Sequence, residues 1–224
     1  MKAMRSKQAV FAALVLCAGQ ALGQTIADGP VATNPAPPAV GNDTNKWSFS
    51  ATVMGYVVPD SRDYVQPTIT ADRDWLHLEA RYNYENLETG SAWLGYNFSG
   101  GKKLAWEITP MLGGVFGSTT GIAPGYSGSL SWWKLELDSE SEYVLDTGDP
   151  SGNFFYNWSE LSRAPTEWLR IGLVTQRTRA YQTDRDIQRG LLVGLSYKKL
   201  SFTAYVFNPD ESRPTFVIAA GLQF

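Results

Sequence analysis

From Trp47 onward, segments of about ten residues alternate between apolar and polar side chains, and turn-forming residues separate them. Successive side chains of a β-strand point to opposite faces, so a period of two predicts strands rather than helices. A tilted strand needs about 9–11 residues to cross the hydrocarbon layer of a membrane, and most segments qualify. We predict twelve strands, at residues 47–58, 64–71, 75–85, 90–98, 104–116, 126–138, 140–146, 153–161, 166–177, 188–197, 200–207 and 215–224.

The last segment, TFVIAAGLQF, places an apolar row on one face and small or weakly polar residues on the other. This pattern suits a strand between lipid and a lumen. The strand ends on Phe224, with Leu222 two residues before it, and in this it resembles the C-terminal assembly signal of bacterial outer-membrane β-barrels. The resemblance implies an outer-membrane location in a Gram-negative cell and recognition of Phe224 by the barrel-assembly machinery.

The links between the predicted strands largely alternate in length, with short ones at 72–74, 99–103, 139, 162–165 and 198–199. The longer ones are 59–63, 117–125, 147–152, 178–187 and 208–214, and the link at 86–89 breaks the alternation. Outer-membrane barrels place short turns in the periplasm and long loops outside. The predicted fold class is therefore all-β, an up-and-down antiparallel transmembrane β-barrel. It has twelve strands, or ten if 64–71 and 140–146 are loops.

One face of the predicted strands is nearly free of charge, and we expect it to contact outer-membrane lipid. Its members include Phe49, Leu78, Leu94, Leu112, Leu135, Ile171, Leu173, Leu191 and Val193. Aromatic rings near strand ends suit the headgroup level and predict girdles. The predicted girdle residues are Trp47, Tyr84, Trp106, Trp133, Tyr143, Tyr197 and Phe224.

The opposite face is polar and would line the lumen. Its charged members are predicted to be Glu79, Arg81, Glu107, Lys134, Glu136, Glu142 and Arg170. If Ser139 forms a tight turn, Glu136 and Glu142 become cross-strand neighbours, and their carboxylates repel unless a cation intervenes. Opposite charges can pair across a narrow interior and plug it. Alternatively, a charged ring can select small solutes in a water-filled channel.

The N-terminal segment has a different character from the barrel. Lys2, Arg5 and Lys7 precede a short apolar run at 10–16 and a small-x-small triplet at 21–23, which is typical of a cleaved signal peptide. We predict a signal peptide at 1–23, a flexible periplasmic leader at 24–46 and the barrel at 47–224. Loss of three cations changes the formal charge from −3 to −6, which argues against nucleic acid as a partner.

The sequence contains no zinc, calcium or phosphate-loop motif, so we predict neither metal nor cofactor. His77 is the only histidine, and its surroundings (DRDWLHLEARY) do not resemble the motifs of outer-membrane phospholipases, so we assign no catalytic residue. The favoured function is a narrow porin-like channel or a plugged structural barrel. The alternatives are an outer-membrane enzyme acting on lipid or peptide, and a soluble secreted β-barrel or sandwich with its apolar face inward.

The most charged stretch surrounds the predicted loop at 178–187. Its arginines are Arg177, Arg179, Arg185 and Arg189. Because arginine binds phosphate in a bidentate manner, this loop is a candidate contact for lipopolysaccharide. Alternatively, its arginines pair with Asp184 and Asp186 in a solvated loop. The sequence identifies no particular solute.

Overall fold

The computed structural model describes residues 46–59, 61–148, 152–177 and 187–224. Within these ranges the chain forms antiparallel β-strands, and no helix is long and apolar enough to cross a membrane. The strands are β1 (Ser48–Val57), β2 (Tyr64–Arg73), β3 (Leu76–Tyr82), β4 (Thr89–Tyr96), β5 (Phe98–Gly100), β6 (Leu104–Gly117), β7 (Gly121–Trp132), β8 (Leu135–Asp146), β9 (Phe154–Thr166), β10 (Leu169–Arg177), β11 (Gln188–Tyr197), β12 (Leu200–Phe207) and β13 (Thr215–Gln223).

The strands close into a barrel. β1 pairs with both β2 and β13, and β4 pairs with β6, so no open edge is left between the first and last strands. β4 and β5 both pair with β6 and form one wall strand interrupted at Asn97. The wall therefore has twelve strands in up-and-down order, as the sequence predicts. The alternative count of ten is wrong, because 64–71 and 140–146 lie in the paired strands β2 and β8.

The two ends of the barrel differ in the length of their connections. We call the end where β1 begins and β13 finishes the turn end, and the opposite end the loop end. At the turn end the connections are two or three residues long, at 74–75, 101–103, 133–134, 167–168 and 198–199. At the loop end they are 58–63, 83–88, 118–120, 147–153, 178–187 and 208–214. Five of these six connections are longer than any at the turn end, which confirms the predicted alternation of short and long links, and 118–120, with three residues, is the exception.

Three predicted links lie elsewhere in the structure. The β7–β8 turn consists of Trp133, with a φ of 56°, and Lys134, whereas Ser139 lies inside β8 and pairs with Gly128 and Ser159. The link predicted at 117–125 is shorter in the structure, at 118–120, because β7 begins at Gly121. Likewise, 162–165 belongs to β9. A wall in lipid must pair its backbone groups, so Gly- and Ser-rich segments that suggest a loop are drawn into the ladder.

The apolar row faces away from the barrel axis. Leu94 and Leu112 are cross-strand neighbours on β4 and β6, and each is 57% exposed. Such a continuous exposed apolar surface suits lipid and not water. Large aromatic side chains are exposed near the turn end, where they form a girdle of Trp47, Trp75, Trp106, Trp132, Trp133, Trp168 and Tyr197. The soluble alternative with an apolar interior face is therefore wrong.

One predicted girdle residue lies elsewhere. Tyr84 is buried inside the barrel, because the chain turns inward after β3. The interior near the loop end also holds a compact apolar cluster. Its buried members are Val144, Phe154, Val174, Leu192, Phe207 and Val217. Polar residues dominate the rest of the interior.

A charged and partly bridged lumen

Arg81 on β3 is the centre of the first charged cluster. Its Nε and Nη2 donate to the two carboxylate oxygens of Glu79, at 2.7 and 3.1 Å. Its Nη1 donates to Glu142 Oε2 at 3.0 Å, and its Nη2 forms an ion pair with Glu140 Oε1 at 2.5 Å. Both acceptors belong to β8, which is separated from β3 by β4, β6 and β7. These ion pairs therefore cross the lumen.

Two aromatic rings pack against the Arg81 guanidinium. Its central carbon lies 4.2 Å from the ring centroid of Tyr84 and 4.5 Å from that of Trp93. Tyr84 in turn meets Tyr156 of β9 edge to face, with centroids 5.1 Å apart. Arg81, Tyr84, Trp93 and Tyr156 form what we call the arginine–aromatic layer. The layer bridges the lumen, because β3 and β9 lie on nearly opposite sides of the wall.

A row of hydrogen bonds continues from this layer toward the turn end. His77 Nε2 lies 3.2 Å from Glu79 Oε2, and its Nδ1 lies 2.7 Å from Asp72 Oδ1. Asn97 donates to the same Asp72 oxygen at 2.9 Å, and Thr109 donates to Asn97 at 2.7 Å. Both ring nitrogens of His77 therefore contact carboxylates rather than a serine hydroxyl, which is the arrangement of a packed histidine.

Glu160 on β9 organises a second cluster. Its Oε1 accepts hydrogen bonds from Trp158 Nε1 and Tyr205 Oη, each at 2.8 Å. Its Oε2 accepts one from Arg170 Nη1 at 2.8 Å, and the same nitrogen lies 3.8 Å from Asp138 Oδ2. The cluster joins β8, β9, β10 and β12. The cluster therefore links these strands on one side of the wall. Trp158 also packs edge to face on Tyr205.

The structure brings together some of the predicted lumen residues. Glu79, Arg81 and Glu142 share the first cluster, and Arg170 belongs to the second. Glu107 and Glu136 are half-buried on the inward faces of β6 and β8, near the turn end.

Two predictions about this face are wrong. Lys134 is exposed in the β7–β8 turn, where its Nζ donates to the carbonyl of Pro165 at 3.3 Å. Glu136 and Glu142 are not cross-strand neighbours, because both lie on β8.

The sequence analysis missed five inward carboxylates: Asp72, Glu85, Asp138, Glu140 and Glu160. Asp72 lay in the link predicted at 72–74, and Asp138 and Glu140 flanked the turn predicted at Ser139. Glu85 and Glu160 lay in predicted strands but were not assigned to the lumen. The exposed Phe155 and Leu161 on the opposite face could have identified Glu160 as inward, since they fix the direction of the odd-numbered residues.

The predicted lipopolysaccharide contacts fall partly within the described residues. Arg177 lies over the ring of Phe155 at 5.6 Å, and Arg189 pairs with Asp210 at 2.9 Å on the exposed loop end. Arg179 and Arg185 lie outside the described residues. Lipopolysaccharide binding at this loop stays a prediction.

Carboxylates outnumber cations inside the barrel. Within the described ranges, the inward basic side chains are Arg81, Arg170 and His77. The inward carboxylates are Asp72, Glu79, Glu85, Glu107, Glu136, Asp138, Glu140, Glu142 and Glu160. Nine acidic groups thus face three basic ones, so the lumen has a formal negative excess.

A cavity of about 140 Å³ lies beside the arginine–aromatic layer. Hydroxyl side chains of β1 and β2, including Ser50, Thr68 and Thr70, line one side. Asp138, Glu140 and Glu160 line the other side. Among the described side chains, no group of three or more His, Cys, Asp and Glu residues is placed to hold a metal ion. The cavity therefore offers hydroxyls and carboxylates to a small polar or cationic solute.

No protein-family model and no curated protein matches the sequence. Among solved structures, the fold is similar to a KdgM porin, with a TM-score of 0.55 and 10% identity over 78% of this chain and 99% of that chain. The barrel fold is that of a porin. A KdgM porin in complex with disordered oligogalacturonate matches with a TM-score of 0.53 and 10% identity, over 79% of this chain and 99% of that chain.

The porin fold confirms the resemblance to small outer-membrane barrels that the sequence suggests. At 10% identity the likeness extends to the barrel and not to individual side chains. The chemistry of the lumen therefore follows from this chain's own residues.

Proposed function

We propose that this chain is a narrow porin-like channel of the outer membrane that favours small cationic and neutral solutes over anions. The negative excess of the lumen carries the proposal. Rings of Asp and Glu select cations in pores, and charges act strongly in a narrow interior of low dielectric constant. The porin fold and the lipid-compatible outer face support the location.

The proposed solute class differs from that of the porin solved with oligogalacturonate. A chain of galacturonate units carries a carboxylate on each sugar, so it is a polyanion. The β8 face alone presents Glu136, Asp138, Glu140 and Glu142 in succession to the lumen. Like charges at such close quarters repel, which disfavours an anionic sugar chain in this barrel.

The arginine–aromatic layer sets the expected bore. Because Tyr84 and Tyr156 touch across the lumen, they narrow the path of a solute, and rotation of either ring would change its width. We therefore expect a small and intermittent conductance. The same contact favours the second candidate, a structural barrel that stays plugged.

The reversal potential in a salt gradient tests whether the barrel conducts cations in preference to anions. The purified protein is inserted into a planar bilayer with KCl at different concentrations on the two sides, and the reversal potential is measured. We expect cation selectivity that falls in the double variant Glu136→Gln/Asp138→Asn. Glu167→Gln, in the exposed β9–β10 turn, is the matched control and leaves the selectivity unchanged.

Each outcome of this measurement has a distinct meaning. Anion selectivity of the unmodified barrel contradicts the proposal. Absence of current in the unmodified barrel, with current after both Tyr84 and Tyr156 are replaced by Ala, supports the plugged structural barrel instead.

The proposed location includes an export route. The predicted signal peptide at 1–23 lies outside the described residues, as does the predicted leader at 24–46 apart from Lys46. Mass spectrometry of the protein extracted from outer membranes tests this part. We expect a mature N-terminus at Gln24, and an uncleaved chain contradicts it.

A further inference from the structure

We propose that the side chains around Arg81 form a binding site for guanidinium and short alkylguanidinium cations, and that Arg81 is its tethered occupant. The inference deepens the proposed cation channel, on which it rests, by naming a ligand class and the residue that competes with it. The site consists of Glu79, Glu140 and Glu142 together with the rings of Tyr84 and Trp93.

The surroundings of Arg81 have the composition of an organic-cation site. Two aromatic rings lie within 4.5 Å of the guanidinium carbon, well inside the distance of about 6 Å at which cation–π attraction operates. Three carboxylates contact the guanidinium nitrogens, two of them through hydrogen bonds. Planar guanidinium suits this combination, because its edge donates to carboxylates while its faces lie against the rings.

One carboxylate oxygen of the site can accept a further hydrogen bond. Oε1 of Glu142 is buried and has no hydrogen-bond partner among the described residues, while the Glu142 side chain is only 1% exposed. A buried acceptor without a partner is costly. In addition, Glu79 has His77 as a second basic neighbour, whereas Glu140 and Glu142 share the single guanidinium of Arg81. A second cationic donor would satisfy both deficits.

The site is reachable from the lumen. Glu79, Glu140 and Tyr84 also line the 140 Å³ cavity, and the Glu140 side chain is 27% exposed. A small cation in the cavity therefore meets Glu140 first and competes with Arg81 for it. Displacement of Arg81 would also remove the cation that holds Tyr84, which bridges the lumen to Tyr156. Occupation by an external cation is thereby coupled to opening of the layer.

Chemical rescue of Arg81→Ala tests the site without any measurement of current. The variant is refolded into detergent micelles, and binding of ethylguanidinium at millimolar concentration is measured by titration calorimetry. N-ethylurea, which has nearly the same shape and no charge, is the matched ligand control. We expect saturable binding of ethylguanidinium to Arg81→Ala, at least tenfold tighter than to the unmodified barrel, and no binding of N-ethylurea.

Two further variants locate the site. Arg81→Ala/Glu142→Gln should bind ethylguanidinium at least tenfold more weakly than Arg81→Ala. Arg170→Ala removes the other lumen arginine, whose partners are Glu160 and Asp138, and should not gain comparable affinity. Equal affinity in Arg170→Ala, or no binding to folded Arg81→Ala, overturns the proposal.

Refolding yield replaces calorimetry if Arg81→Ala does not fold unaided. Ethylguanidinium, and not N-ethylurea, should then restore the folded, heat-modifiable band on electrophoresis, and an unchanged yield overturns the proposal. The result is separable from the channel test. Binding without cation-selective current contradicts only the channel, and selective current without binding contradicts only the guanidinium site.

Discussion

Tyr84, which follows β3, and Tyr156, on β9, pack edge to face inside the barrel at an interplanar angle of 70°. Both rings are almost completely buried, although they lie in the path that a solute would take. Their contact narrows the lumen, and the polar cavity lies beside it. The bore of this barrel therefore depends on interior side chains, namely these two rings and the Arg81 ion pairs, as well as on the diameter of the wall.

Truncation of both rings should widen the path. Tyr84→Ala/Tyr156→Ala removes the bridge, and we expect single-channel conductance in a planar bilayer to rise by about twofold or more, because the narrowest section limits conduction. Tyr143→Ala is the matched control, since this tyrosine is on β8 and exposed on the outer face. Unchanged conductance in the double variant would place the constriction elsewhere.

Loss of the Glu160 charge should destabilise the barrel. Glu160→Gln leaves the buried Arg170 without its closest carboxylate, at a cost of about 3 kcal/mol in the free energy of unfolding. The measurement is urea-induced unfolding from lipid vesicles, with Glu167→Gln as the surface control. Glu160→Gln/Arg170→Met should recover part of the loss, because no unpaired charge remains. A double variant as unstable as the sum of both single variants would contradict a direct pair.

A charge on the outer face should destabilise the barrel more strongly when it lies deeper in the hydrocarbon layer. Leu112 lies in the middle of β6, and Leu112→Arg should lower the free energy of unfolding from lipid vesicles by about 2–4 kcal/mol. Leu104→Arg, at the turn end of the same strand, serves as the control and should cost only about 0–1 kcal/mol. Equal effects at both positions would mean that Leu112 does not lie in the hydrocarbon layer.

Most of the wall could be predicted from the sequence because one physical pattern repeats in it. β11 and β12 were predicted with the bounds that the structure has, since LLVGL and SFTAYVF alternate between lipid-facing and inward residues. The pattern fails at 138–142, where DSESE is polar on both faces and alternation gives no signal. There the sequence suggested a turn at Ser139 inside what is a continuous strand.

The outward side of that stretch explains the failure. Ser139 and Ser141 face away from the axis, where they exchange hydrogen bonds with Tyr126, Asn157 and Ser159 of the neighbouring strands. These contacts satisfy polar groups at a surface that otherwise faces lipid, so alternation is not required for the wall to be stable. Asn157 likewise lies on the outward face of β9, although it is polar.

Some of the lumen charges were predictable as single residues, but none as pairs. Glu79, Arg81, Glu142 and Arg170 follow from the inward parity of their strands. Their partners depend on how far each strand is staggered against strands on the far side of the barrel, as in Arg81 with Glu142. The stagger between strands depends on where each turn lies. Because the turn was misplaced at Ser139, the inward position of Asp138 and Glu140 on β8 was not predicted. Sequence periodicity thus predicts the face of a residue where apolar and polar residues alternate, and it leaves the height of the residue in the barrel undetermined.

The terminal aromatic residue offers the last test, because two roles of Phe224 can be separated. Phe224 stacks on Phe49 of β1 with ring centroids 5.7 Å apart, and the two backbones exchange hydrogen bonds at 3.0 Å. Phe224→Ala and Phe49→Ala therefore remove the same stack from opposite strands. Stability in detergent should fall to a similar extent in both variants, by about 1–2 kcal/mol.

Recognition by the assembly machinery should distinguish the two variants. If the terminal residue is itself a signal, Phe224→Ala lowers the amount of folded barrel in outer membranes by about tenfold, whereas Phe49→Ala, with the terminus intact, lowers it much less. The measurement is heat-modifiable band intensity from membrane fractions at equal synthesis. Equal loss in both variants would assign Phe224 to closure of the barrel, because the shared stack, and not the terminal position, would then account for the defect.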